Sequence, residues 1–226
     1  MTKDKSTSSE SASYGVASHA VFSTIQGEGH LSGLTQVFVR LSGCPVACPG
    51  CDTNYRAHGS RWSLDKLSLE IQLAMPSGLQ GRDRWVWITG GEPTIWNLDP
   101  LVNELHRLGY SVAIATSGIN PVTPPVEWLS VSPHGGGGGK LVQRWGHEIK
   151  LVPGLNDLDA VQWIEDNDEP NENSNSIDFW FRFVQPLWLT ALWRVDPESL
   201  RQCKEIWNRW PRWGITMQTN KWLNLP

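Results

Sequence analysis

Three cysteines on one short loop carry the sharpest chemical signal in the chain: Cys44, Cys48 and Cys51, in the spacing Cys-x3-Cys-x2-Cys. Thiolates bind zinc and iron–sulfur clusters, and three on a tight loop can face one centre. Zinc needs a fourth ligand, which His58, Asp52 or Cys203 can supply. A four-iron cluster held by three thiolates leaves one iron open, and a substrate or cofactor can bind it directly. The fourth cysteine, Cys203, lies far along the chain and reads as a bystander. That asymmetry argues against a secreted disulfide framework.

The elements around this loop must hold it in place. Residues 37–41, VFVRL, read as a strand that delivers the chain to the loop. The Gly and Pro content of the loop argues against helix and for a backbone wrapped around something. Further strands are expected at 85–89, 112–115, 128–131, 147–152, 179–184 and 213–217. Helical spacing marks 63–74, where Leu64, Leu67, Ile71 and Ala74 share a stripe and Ser63 can cap the start. Helices are also expected at 100–108, 158–165 and 197–210, and a polar exposed loop at 166–176. Polar or glycine-bearing motifs recur just after strands, the grammar of an α/β fold whose site lies at the carboxyl ends of a parallel sheet. The motifs are Gly90-Gly91-Glu92 with Thr89, Thr116-Ser117-Gly118, Ser132-Pro133 and Gln185-Pro186. Residues 1–15 read as a disordered tail and 16–226 as a single domain.

Composition narrows the function classes. A net charge of −4 does not suit a sequence-blind nucleic-acid binder. No stretch approaches the ~20 apolar residues of a membrane span, and the start lacks the apolar region of a secretory signal, so a cytoplasmic location is expected. The glycine run 135–139 is followed by Lys140 and Leu141, which does not complete a phosphate-binding P-loop and reads as a flexible loop. Ten of the fourteen tryptophans lie from Trp128 onward and predict packing rather than chemistry.

The cysteine spacing resembles the radical S-adenosylmethionine superfamily motif, and Gly90-Gly91-Glu92-Pro93 resembles its GGEP motif. The stretch from Phe22 through Gln26-Gly27-Glu28-Gly29 to Arg40, with Asp52-Thr53 after the cysteines, is similar to the 7-carboxy-7-deazaguanine synthase family. The resemblance covers residues 19–226. It implies a partial or modified TIM-like (β/α)6 barrel, a [4Fe-4S] cluster on the three cysteines, S-adenosylmethionine and Mg²⁺. The implied reaction is a radical lyase step from 6-carboxy-5,6,7,8-tetrahydropterin to 7-carboxy-7-deazaguanine with release of ammonia, S-adenosylmethionine being regenerated. It assigns the cofactor to Gly90, Gly91, Glu92, Thr116, Ser117, Ser132 and Gln185. Glu92 receives the amino group, and Gln185 lies on the adenine side. Mg²⁺ falls to Thr53, with Asp52 supporting the loop. The substrate falls to Gln26, Glu28, Arg40, Thr89, Asn220 and the terminal Pro226.

The residue chemistry suits those roles. Gln26 and Glu28 can read the donor–acceptor edge of a pterin-like ring, and Arg40 can clamp a carboxylate in bidentate fashion. Two positions depart from the family pattern. Asn220 stands where His is usual, which keeps hydrogen bonding but removes a titratable cation. His134 stands where Lys usually follows Ser-Pro, and Lys140 or Lys150 can compensate. A homodimer and a flavodoxin- or ferredoxin-type electron donor are implied as partners. A protein-directed radical activating enzyme and a zinc-bound interaction module are the competing readings.

Overall fold

The computed structural model describes residues 12–46, 48, 51, 59–134, 141–155, 158–168 and 176–226. The strands are β1 (Ser13–Ile25), β2 (Thr35–Leu41), β3 (Arg61–Ser63), β4 (Trp85–Gly90), β5 (Ser111–Thr116) and β6 (Trp128–Val131). They continue with β7 (Trp145–Leu151), β8 (Asp178–Val184), β9 (Trp188–Leu189), β10 (Arg194–Val195) and β11 (Trp213–Ile215). The helices are α1 (Leu64–Ala74), α2 (Asp99–Arg107), α3 (Leu158–Asp166), α4 (Pro197–Arg209) and α5 (Thr219–Trp222).

Nine strands form one sheet in the order β11-β8-β7-β6-β5-β4-β2-β1-β3. From β2 to β11 every pairing is parallel, whereas β1 runs antiparallel to both β2 and β3. Strands β9 and β10 pair separately as a small hairpin. Helices α1 to α4 fill four of the connections between parallel strands. The β/α repeat is partial, as the resemblance implies. The link from β5 to β6 carries Pro121, Pro124 and Pro125 and forms no helix, because each proline lacks the N–H that a helix interior needs. The link from β6 to β7 lies partly outside the described residues.

Side-chain alternation gives the sheet two different faces. One face carries Val37, Val39, Leu41, Val86, Ile88, Val112, Ile114, Leu129, Val131, Ile149 and Leu151, all essentially sealed from water in the main core. Against them α1 places Leu67 and Ile71, α2 places Leu101, Val102 and Leu105, and α4 places Cys203 and Ile206. Burying one such side chain contributes about 1.5–3 kcal/mol, which explains why these helices sit where they do. Ser63 caps α1, accepting from the Lys66 N–H at 3.3 Å.

The opposite face begins aromatic and ends polar. Trp87, Ala113 and Trp128 form a second buried cluster with Phe38 and Phe181 packed on it. Two residues further along the same strands come Arg40, Thr89, Ala115, Ser130 and then Glu148 and Lys150. The register aligns Arg40 with Thr89, Ala115 with Ser130, and Ser130 with Glu148. Hydrophobic packing thus closes one end of this face and leaves chemistry at the carboxyl end.

The tail boundary moves. β1 begins at Ser13, and Tyr14 is 1% exposed in the core, with its hydroxyl donating to the Asn97 carbonyl at 3.0 Å. Residues 13–15 therefore belong to the sheet, held by pairing with β3. Residues 1–11, and the expected glycine-run loop at 135–139, lie outside the described residues. Among the described residues no helix is long and apolar enough to cross a membrane.

Candidate active site

Two adjoining cavities open at the carboxyl end of the parallel strands. The first, of about 260 Å³, is lined by Cys44, Cys48, Cys51, Gly90, Gly91, Glu92, Thr116, Ser117, Ser132, His134 and Gln185. The second, of about 320 Å³, is lined by Gln26, Arg40, Trp87, Ser130, Glu148, Asn220 and Pro226. Glu28, Thr89, Ala115, Lys150, Trp188, Gln218 and Lys221 border both. The residues expected to handle cofactor and those expected to handle substrate thus fall into neighbouring spaces with a shared wall.

The three thiols border one space. Burial, then the neighbouring Cys51 and Cys44, pushes the Cys48 thiol up to about 11, so metal binding there must release its proton. Among the described residues no three His, Cys, Asp or Glu side chains converge as a single ion requires. Cys203 lies elsewhere, fully buried in the core on α4, where desolvation raises it to about 12. It cannot serve as a fourth ligand without unfolding that helix contact. Thr53, Asp52 and His58 lie outside the described residues, so the Mg²⁺ assignment has no geometry here.

The Gly90-Gly91-Glu92 turn depends on missing side chains. Gly90 has φ +126°, and a Cβ there would meet the Leu41 carbonyl oxygen at 2.1 Å. A Cβ on Gly91 would meet the Gly43 oxygen at 2.0 Å, while the Glu92 N–H donates to that same oxygen at 2.8 Å. The turn is therefore pressed against the strand that leads into the cysteine loop.

Glu92, expected to receive an amino group, is engaged by protein donors. It is 1% exposed, and its carboxylate accepts five hydrogen bonds from protein donors. They come from the Thr94 N–H and hydroxyl (3.0 and 2.7 Å), the Thr116 hydroxyl (2.6 Å), and the Ser117 N–H and hydroxyl (2.8 and 2.5 Å). A carboxylate offers about four lone-pair sites, so this one is saturated. It ties the β4 turn to the β5 turn. The Ser132 N–H joins the same assembly, donating to the Thr116 carbonyl at 2.8 Å.

Glu28 occupies the shared wall. Its carboxylate accepts from Gln218 Nε2 at 2.6 Å and Gln185 Nε2 at 3.2 Å, and pairs with the Lys150 ammonium. Gln185, expected on the adenine side, thus gives its amide to the substrate-side carboxylate. Burial, then the Lys221 ammonium, lowers Lys150 to about 7, and the Glu28 carboxylate opposes that fall. Gln26 is 5% exposed, and its side-chain oxygen accepts the Glu28 N–H at 3.0 Å. Deeper in the second cavity, burial raises the Glu148 carboxyl, which accepts the His30 N–H at 2.9 Å.

Helix α5 and the residues after it border the second cavity. Asn220 Nδ2 donates to the Pro226 oxygen at 3.2 Å, and the Thr219 N–H and hydroxyl donate to the Gly27 carbonyl at 2.9 and 3.0 Å. Arg40 lies in the same cavity with its guanidinium 4.6 Å from the Phe22 ring. Sequence reasoning did not single out Trp188 or Glu148, and it placed Ser130 in a cofactor-side segment and Gln218 and Lys221 in the closing segment without roles of their own. Ser130 and Glu148 carried a signal, as polar residues alternating with apolar ones in buried strands.

A mostly parallel sheet with a three-thiol loop and a glycine turn at its carboxyl end is the arrangement of a radical S-adenosylmethionine partial-barrel enzyme. No family model matches the chain. The 7-carboxy-7-deazaguanine synthase of Bordetella pertussis is 30% identical, over 91% of this chain and 97% of its own. That of Escherichia coli K12 is 32% identical, over 91% of this chain and 96% of its own. The crystal structure of QueE from Escherichia coli matches with a TM-score of 0.66 and 26% identity, over 91% of this chain and 94% of that one. The chain belongs to the 7-carboxy-7-deazaguanine synthase family.

Proposed function

We propose that this chain converts 6-carboxy-5,6,7,8-tetrahydropterin to 7-carboxy-7-deazaguanine with release of ammonia, in the queuosine pathway. The observation that carries the reading is the pair of adjoining cavities, one bordered by the three cysteines and the other by Gln26, Glu28, Arg40, Asn220 and Pro226. A small polar ring with a carboxylate fits the second space better than a peptide glycine does.

Cys44, Cys48 and Cys51 would hold a [4Fe-4S] cluster. Their donor set fits it: soft thiolates around one space, one fewer than the cluster's irons. When bound, the cluster and S-adenosylmethionine supply one-electron hydrogen-abstraction chemistry. The protein's own contribution is positioning and exclusion of water. Gly90 and Gly91 let the backbone approach the cofactor, and Thr116, Ser117 and Ser132 present polar groups beside it. Glu92 fixes those groups in place. Glu28 and the Gln26 NH₂ address the donor and acceptor edge of the ring, with Thr89 beside them. Arg40 supplies a fixed cation, and Asn220, bonded to the Pro226 oxygen, borders the same space. Mg²⁺ at Thr53, a homodimer, a flavodoxin- or ferredoxin-type donor and a cytoplasmic location complete the proposal on the family resemblance.

Metal analysis tests the cofactor half. Protein reconstituted anaerobically should be brown and hold ~4 iron with matching sulfide, and the Cys48→Ala variant should lose the cluster. One zinc and no sulfide would point to the zinc module instead.

A further inference from the structure

One tryptophan that composition left without a task joins the two motifs bordering the first cavity. Trp96 ends the short 3-10 turn, Pro93–Ile95, that follows Gly90-Gly91-Glu92. Its indole N–H reaches back and donates to the Ser42 carbonyl at 3.0 Å. Ser42 lies two residues before Cys44, so a side chain from the cofactor-side turn holds the backbone at the entry to the cysteine loop.

That bond sits in the middle of a row. The Gly91 N–H donates to the Leu41 carbonyl and the Glu92 N–H to the Gly43 carbonyl, both at 2.8 Å. Three consecutive carbonyls, at 41, 42 and 43, are thus held by one segment, the outer two by its backbone and the middle one by Trp96. Ser42 also faces β1, where its N–H donates to the Gly15 carbonyl at 2.9 Å. The indole enters on that side, and a Cβ on Gly15 would meet it at 2.8 Å. Tyr14, 6.2 Å away between ring centroids, and the Arg61 guanidinium, 5.7 Å from the ring, hold it there. Without the indole N–H the Ser42 carbonyl loses its donor, and the loop entry keeps only its flanking bonds.

We propose that Trp96 is a positioning residue that keeps the cysteine loop in register with the glycine turn, and so sets the cluster against S-adenosylmethionine. This rests on the functional reading above, which puts the cluster on the loop and the cofactor on the turn. A purely structural Trp96 would lower the stability of the cluster-free chain when replaced and leave the cofactor's approach to the cluster alone.

The test is a titration of the anaerobically reconstituted, reduced protein with S-adenosylmethionine, followed by the change in the cluster's EPR signal. Trp96→Phe keeps the ring and removes only the donor. It should need about tenfold more S-adenosylmethionine for the half-maximal change, the low end of what losing a supporting hydrogen bond costs at a metal site. Well below its melting transition it should also release iron to a chelator about tenfold faster than the parent. Gly15→Ala pushes the ring from the β1 side, should reproduce the shifted titration, and serves if Trp96→Phe does not fold. A titration like the parent's in a folded variant overturns the assignment to Trp96, whatever the iron does, and leaves the functional reading standing. A parent protein that assembles no iron–sulfur cluster overturns both.

Discussion

Glu92 and Lys150 show how much of the site depends on single ionisable side chains. Glu92 was legible as the acidic member of a glycine turn, but three of its five donors, on Thr116 and Ser117, are brought to it only by the fold. Glu92→Gln turns one acceptor oxygen into a donor that faces other donors. The expected cost is about 1–3 kcal/mol in urea unfolding, together with lost S-adenosylmethionine binding. Normal stability with normal binding would contradict the organising role. Lys150 was visible as a strand lysine able to compensate for His134, but its burial and its pairing with Glu28 were not. With its pKa lowered to about 7, the native chain sheds a proton there that the unfolded chain keeps. Stability of the ligand-free protein should therefore rise with pH from about 7, by at most ~1.4 kcal/mol per pH unit. The rise should end near about pH 8.5, where unfolded-state thiols titrate and the raised Cys48 and Cys203 pull the other way. Lys150→Met should flatten that slope. An identical slope in the variant would assign it to another group.

At the scale of elements, the parallel strands were readable because their apolar runs are short and end in glycine or polar turns. The expected strand at 128–131 coincides with β6. β1 was missed because its alternation is interrupted: the register shifts between Val16 and Val21, and His19 has φ 53°. The edge pairing with β3 and the β9–β10 hairpin were missed because strands of two or three residues leave no period to read. Asn220 was expected to face substrate, but the surface on which its helix α5 docks was not readable. That surface is Gly27, where a Cβ would meet Asn220 Oδ1 at 2.0 Å. Gly27→Ala should displace α5 and weaken binding of a carboxylated pterin about tenfold or more, with the urea midpoint nearly unchanged. Unchanged affinity in a binding titration would show that α5 does not close the site.

For the whole molecule, the division of labour follows from one sheet with two faces. The helix-covered face supplies the stability, and the other grades from aromatic packing to the polar carboxyl end where both cavities open. The family and the cysteine loop were legible because local motifs carry them. The junction between the cavities was not, because Glu28, Lys150, Gln185 and Gln218 come from distant parts of the chain. The departures at Asn220 and His134 leave the site assembled, with Asn220 bonded to the chain end and His134 on the first cavity wall. The decisive measurement is product formation by the anaerobically reconstituted chain with S-adenosylmethionine, a one-electron reductant, Mg²⁺ and 6-carboxy-5,6,7,8-tetrahydropterin. 7-Carboxy-7-deazaguanine should accumulate over many turnovers without matching loss of S-adenosylmethionine. A chain with its full cluster that releases no deazapurine would contradict the account.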